Sequence, residues 1–190
     1  MVVAHRRHAT TIVRPSSGPV NGDGGGLIGI CPAVSTTWRS PSGYGDLETI
    51  GSGMLDEQAR QLVTSGAYGH LVTLDPDGTP QVTLAWFDVV DDELRFATLF
   101  DQRKLRNLRR DPRVVVSFES PTVNEQGLRP YLVVSGTASV TEGGAPELLQ
   151  RLAHRYLGPR VTFPPMPDSP DGYVVHIAIE AVSGVGPWST

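Results

Sequence analysis

The sequence predicts a mainly β domain with flanking helices: a small antiparallel barrel, closed or half closed, with two or three helices packed outside. Three observations predict it. Six runs have strand composition, most are separated by short turn signals, and few runs with helical spacing interrupt them. Strands joined by short turns pair antiparallel with their neighbours.

The elements follow in order. Met54 to Ser65 is expected as the first helix, with Leu55, Ala59, Leu62 and Val63 near one face and Gly66 just past its end. Ala67 to Leu74 is apolar and β-branched enough for a strand. Asp75-Pro76-Asp77-Gly78 suits a type I turn, with Pro at the second position and Gly at the fourth. Pro80 to Val90 is the second strand, so the two make a hairpin. Asp91-Asp92 turns the chain into Glu93 to Leu99, which extends the hairpin to a three-stranded meander.

A short helix is expected next, capped by Asp101 and stopped at Pro112, with Leu105 and Leu108 as its apolar edge. Arg113 to Glu119 is strand four, and Pro121 to Pro130 is a polar loop. Tyr131 to Val140 is strand five; Gly136 in its middle marks a bulge or a barrel corner. Pro146 to Leu157 is a helix with Leu148, Leu149, Leu152, Ala153 and Tyr156 inward. Prolines exclude regular structure from 163 to 170. Tyr173 to Val182 is the sixth strand, and Gly184 to Trp188 is a tail.

Residues 1–53 read differently. They are rich in Gly, Pro and Ser and lack apolar periodicity, which is the composition of a disordered extension. The folded domain is expected over 54–190. Ala9 to Val13 is too short and too polar for the core of a secretory signal. The glycine run Gly22 to Gly26 has neither a strand before it nor a Gly-Lys-Ser after it, so it does not read as a phosphate loop.

Composition narrows the function. The formal net charge is −4 and the isoelectric point about 5.7, which argues against a general nucleic-acid binder. Cys31 is the lone cysteine, so there is no disulfide framework and a reducing, cytoplasmic setting is expected. No apolar run approaches the roughly 18 residues of a membrane helix. His154 and His176 have no partner at metal-ligand spacing, so no metal site is expected. No Gly-x-Ser-x-Gly occurs, and no catalytic side chain is assigned.

The charged helix is the unusual feature. Arg103 and Lys104 fall in its first turn, where the helix dipole already carries positive charge. Each costs a few tenths of a kcal/mol there unless an anion compensates. A phosphate would do so, because free N–H groups at helix N-termini bind anions. Lys104 is also the only lysine in the chain. A solvated basic helix is the plainer reading of the same residues.

The block Arg103-Lys104-Leu105-Arg106-Asn107-Leu108-Arg109-Arg110-Asp111-Pro112-Arg113, set between two strands, resembles the split-barrel flavin-binding family. That family includes pyridoxamine 5′-phosphate oxidase and the actinobacterial oxidoreductases that use the deazaflavin coenzyme F420. The resemblance spans about Met54 to Trp188. The bias to Arg over Lys fits a GC-rich, actinobacterial source. The resemblance implies a six-stranded split barrel and a homodimer with cofactors in clefts between subunits. It further implies an oxidoreductase that uses reduced F420 to transfer a hydride to a small organic substrate. An FMN-binding oxidase or flavin reductase, or a non-catalytic flavin or haem carrier, are the alternatives.

Carried over residue by residue, the resemblance implies ring contacts from Gln81, Val82 and Thr83 on the second strand and from Ala97 and Thr98 on the third. It implies phosphate contacts from Lys104 and Arg103, with Asn107 one turn on. Arg106, Arg109, Arg110 and Arg113 are expected in solvent, paired with Asp101 and Asp111, or against a polyglutamate cofactor tail. Trp86 is expected near the cleft mouth, with core and dimer packing as its plainer role. Trp188 is expected on the partner subunit, covering the cofactor.

Overall fold

The described residues of the computed structural model are 54–188; the extension expected over 1–53 lies outside them. In chain order they form α1 (Glu57–Thr64), β1 (Gly69–Leu74), β2 (Pro80–Ala85), β3 (Asp88–Val90), β4 (Glu93–Thr98) and α2 (Arg103–Arg110). Then come β5 (Arg113–Glu119), β6 (Tyr131–Glu142), α3 (Ala145–Tyr156) and β7 (Tyr173–Val185). All pairings are antiparallel, in one sheet of order β2-β1-β5-β6-β7-β4-β3.

Two expectations change here. The run from Pro80 to Val90 is two strands, because Trp86 and Phe87 break it. Phe87 turns into the core with no exposed surface, while Trp86 stacks on Tyr156 of α3. The three-stranded meander is therefore absent: β2 pairs only with β1, and β3 pairs only with β4. These edge strands lie at opposite ends of the sheet, yet only Trp86 and Phe87 join them. Three Cα steps span at most about 11 Å. The sheet must curl until its two edges nearly meet, which makes a barrel with a split between β2 and the β3–β4 hairpin.

The barrel interior is apolar. Leu71, Phe87, Leu94, Phe96, Val116, Phe118, Leu132, Val134 and Ile177 are all fully buried. Phe87 meets Phe96 and Phe118 edge-on at 5.5 and 5.3 Å between centroids, the favoured geometry for aromatic pairs. A Cβ at position 69 would lie 2.3 Å from the Phe87 ring, so Gly69 makes that cluster possible. The expected irregularity at Gly136 is present: the β6–β7 register shifts between Ser135 and Gly136.

The helices close the outside. Asp56 caps α1, its Oδ1 accepting from the Ala59 N–H at 2.7 Å. α3 lays Leu148 and Leu152 against Val174, Ala97 and Trp86. α2 is capped differently from the expectation. Its N-cap is Gln102, without a side-chain bond, and Asp101 instead takes Arg109 at 2.8 Å. No side chain caps the first turn of α2.

Trp188 also departs from its expected place. It is 5% exposed in the core of its own chain, and its Nε1 donates to the Tyr131 carbonyl at 3.1 Å. Its ring covers Gly186, so the tail folds back instead of reaching outward. No helix among the described residues is long and apolar enough to cross a membrane. No group of three or more His, Cys, Asp or Glu that could hold a metal ion occurs among them.

Candidate cofactor site

A cleft opens at the split. It is lined by Tyr68, Leu84, Ala85 and Trp86 on the β1–β2 side, Ala97 on β4, Lys104 on α2, Leu149 on α3 and Phe163. Seven of these side chains are apolar or aromatic, and Lys104 is the only charge among them. Its ammonium has no hydrogen bond or ion pair among the described residues. It sits 5.9 Å from the centroid of the Phe96 ring. Burial pulls its pKa below the usual lysine value, because the charged form loses water and gains no anion. An unpaired cation facing an apolar cleft fits a ligand with a flat ring and an anionic group. Ala97 fits the same ligand, since its small side chain leaves room at the wall.

Arg103, the neighbouring cation, is committed elsewhere. Its Nε donates to Oδ1 of Asp75 at 2.7 Å, and its Nη2 grips Oδ2 of the same carboxylate. Asp75 is 5% exposed; Arg103 holds its carboxyl below the usual range, and the Asn107 amide reinforces the effect. Asp75 belongs to the β1–β2 turn, closed by Gly78 N–H to Asp75 O at 2.9 Å. So Arg103 locks α2 to the hairpin.

Asn107 does the same work from one turn on. Its Nδ2 faces Thr73 Oγ1 at 3.2 Å, Asp75 Oδ1 at 3.0 Å and Gln81 Oε1 at 3.1 Å. Gln81 Oε1 also accepts from Thr73 Oγ1 at 3.2 Å. Gln81 and Asn107 thus commit their side chains to this network, and neither lines the cleft described above. The side chain of Val82 stands on the outer face of the sheet, 58% exposed. Thr98 is buried and donates to the Phe100 carbonyl at 3.4 Å; only its neighbour Ala97 reaches the cleft. Thr83 turns its Oγ1 inward, buried and without a partner.

Of the residues expected from sequence, the structure brings Lys104 and Ala97 to the cleft together. Trp86, expected near the cleft mouth, lines it too, whereas Tyr68, Leu84, Ala85, Leu149 and Phe163 were not among the expected site residues. Tyr68, Tyr156, Trp86 and Phe163 form a file of aromatic rings with neighbouring centroids 5.3–5.4 Å apart. Tyr156 anchors it: its hydroxyl donates to the Ala67 carbonyl at 2.9 Å and accepts from the Phe87 N–H at 3.1 Å. Nothing local in the sequence links residues 68, 86, 156 and 163. The arginines of α2 pair as expected in part: Arg109 and Arg106 with Asp101, and Arg113 with Asp111. Arg110 instead donates to the Leu74 carbonyl.

The cleft encloses about 220 Å³, below the roughly 300–1,000 Å³ typical of a small-molecule pocket.

Comparison with known proteins identifies the family and the fold. A solved structure named as an F420 reductase is 29% identical, with 70% of this chain and 98% of that one covered and a TM-score of 0.55. A conserved hypothetical protein from Mycobacterium tuberculosis is 26% identical, covering 73% of this chain and 89% of its own at a TM-score of 0.58. A haem-binding protein from Mycobacterium smegmatis, 20% identical, covers 70% of this chain and 55% of its own at 0.53 and shares the fold. No curated protein matches the chain. The pyridoxamine 5′-phosphate oxidase family matches residues 55–186. With its split barrel and its apolar cleft beside a single lysine, the chain belongs to the pyridoxamine 5′-phosphate oxidase family of flavin-binding split barrels.

Proposed function

We propose that this chain is an oxidoreductase that uses the reduced deazaflavin coenzyme F420 to reduce a small organic substrate. The observation that carries the reading is the unpaired, half-buried ammonium of Lys104 in the cleft. It is the group that would hold a cofactor phosphate, at the uncapped first turn of α2. The similarity to a solved F420 reductase supports the deazaflavin over FMN.

When bound, the reduced deazaflavin supplies a hydride to an activated double bond of the substrate. The chain's own residues bind, orient and dry the site. Leu84, Ala85, Ala97 and Leu149 give apolar walls. Excluding water there strengthens the attraction of Lys104 for an anion. Arg103 and Asn107 keep α2 in place, so that Lys104 is presented at a fixed position.

The reading includes a second copy of the chain. The small cleft volume on one subunit supports it. So does the outer sheet face carrying Val72, Val82, Leu84, Val115 and Val133, where Val82 and Leu84 are 58% and 60% exposed. The lone cysteine supports a reducing, cytoplasmic setting.

The test is a fluorescence titration of the purified protein with F420 and with FMN, repeated on Lys104→Ala. Tight F420 binding, weak FMN binding and loss of affinity in the variant are expected. Preference for FMN would move the protein to the oxidase or flavin-reductase branch of the family. Binding of neither, or equal affinity in Lys104→Ala, would overturn the reading.

A further inference from the structure

Residues 157–172, between α3 and β7, contain no helix or strand. Connections longer than about 12–15 residues without such structure are uncommon and are often binding loops or lids. Phe163 is the only residue of this segment that lines the cleft. Its ring lies 5.3 Å from Trp86, tilted by 59°.

One side chain holds it there. Gln150 on α3 donates from Nε2 to the Val161 carbonyl at 2.8 Å, and its Oε1 accepts from the Phe163 N–H at 2.9 Å. The amide therefore brackets the 161–163 backbone with a donor and an acceptor, as a strand neighbour would. Its second N–H faces Nε2 of His154 at 2.7 Å, which fixes the orientation of the amide. Gln150 itself does not line the cleft. Tyr156, six residues later on the same helix, anchors the middle of the aromatic file. α3 thus positions the aromatic wall at two points, one on the barrel and one on the loop.

We propose that Gln150 is a positioning residue for the cleft, and that Phe163, which it holds, determines which flat, uncharged ring systems the cleft admits. The proposal rests on the reading of this cleft as a ring-binding site. Phe163 supplies the ring contact, and Gln150 acts only through it.

The experiment compares the wild-type chain with Phe163→Ala, Gln150→Leu, and the double variant, each first checked for unchanged circular dichroism and thermal midpoint. Gln150→Leu keeps the volume but cannot bracket the loop. Gln150→Glu, which keeps an acceptor for the Phe163 N–H, serves as the conservative variant. The probes are 8-anilinonaphthalene-1-sulfonate, FMN and F420, titrated by fluorescence. Phe163→Ala should weaken the naphthalene probe about tenfold, the scale of one lost aromatic contact. Gln150→Leu should weaken it roughly fivefold, Gln150→Glu less, and the double variant no more than Phe163→Ala alone. Equal affinities across the series, additive losses in the double variant, or no saturable probe binding to the wild-type chain would overturn the proposal. If the naphthalene series behaves as expected while neither FMN nor F420 binds, the positioning role stands and the cofactor reading falls.

Discussion

The side-chain amide of Asn107 donates to Oδ1 of Asp75 at 3.0 Å, joining the second turn of α2 to the turn between β1 and β2. The same nitrogen faces Thr73 and Gln81, so one side chain serves acceptors on two strands and a turn. Asn107→Ala would leave these buried acceptors short of a donor. It should cost about 2 kcal/mol of stability. Urea unfolding should show a lower midpoint with an unchanged slope.

The same carboxylate gives a pH signature. Arg103, then Asn107, lowers the pKa of Asp75 in the folded chain. A lowered folded-state pKa adds stability above the unfolded value, about 3.9, and that stability is lost as the pH falls through the folded value. Asp75→Asn should therefore be less stable than wild type at pH 7, with the gap closing below about pH 4. Asp111, which Arg113 holds at about 2, titrates in both proteins and cancels. Denaturation curves at neutral and acid pH check this; a gap independent of pH would show that the ion pair is not what Asp75 contributes.

Lys104 is predicted to carry a cost in the free protein and a benefit in the bound one. Burial disfavours its charged form, with no anion among the described residues to offset it. Lys104→Met should raise the thermal midpoint of the cofactor-free protein by roughly 2 °C. The same change should weaken FMN by about 10- to 100-fold, the scale of a charge-assisted hydrogen bond. Riboflavin, which has the ring but no phosphate, should bind both proteins equally.

Gly136 is a position where a side chain does not fit. A Cβ there would lie 2.2 Å from the Ala178 carbonyl oxygen across the β6–β7 ladder. Neither strand can yield without losing ladder bonds at the register shift. Gly136→Ala should cost about 2–4 kcal/mol, read as a drop in thermal midpoint.

The outer face of the sheet offers a direct test of assembly. Val82 and Leu84 stand exposed on β2 beside Val72 of β1. If a second copy covers them, Val82→Glu buries an unpaired charge at that interface. Light scattering should then find wild type at twice the chain mass and the variant at the mass of one chain. Circular dichroism of the variant should be unchanged, because the site lies outside the barrel core.

The elements themselves were legible because their signals are local. Arg113 to Glu119 alternates buried and exposed residues as its sequence implies, and Leu105 and Leu108 are the buried edge of α2. The lone lysine at the start of that helix was equally visible, since an unfavourable charge at a helix N-terminus needs no tertiary knowledge to notice. What the fold decided is which distant residues meet. Pro80 to Val90 reads as one strand because every residue in it suits a strand. Closure of the barrel splits it, since Phe87 gains more by joining Phe96 and Phe118 inside than by continuing the ladder. That closure sets β2 and β3 at opposite edges, opens the cleft, and separates Arg103 from Lys104: one turns to Asp75, the other to the apolar gap. The sequence by itself determined the strands, the helices and the cation. Long-range burial, which no local pattern encodes, decided what the cation faces.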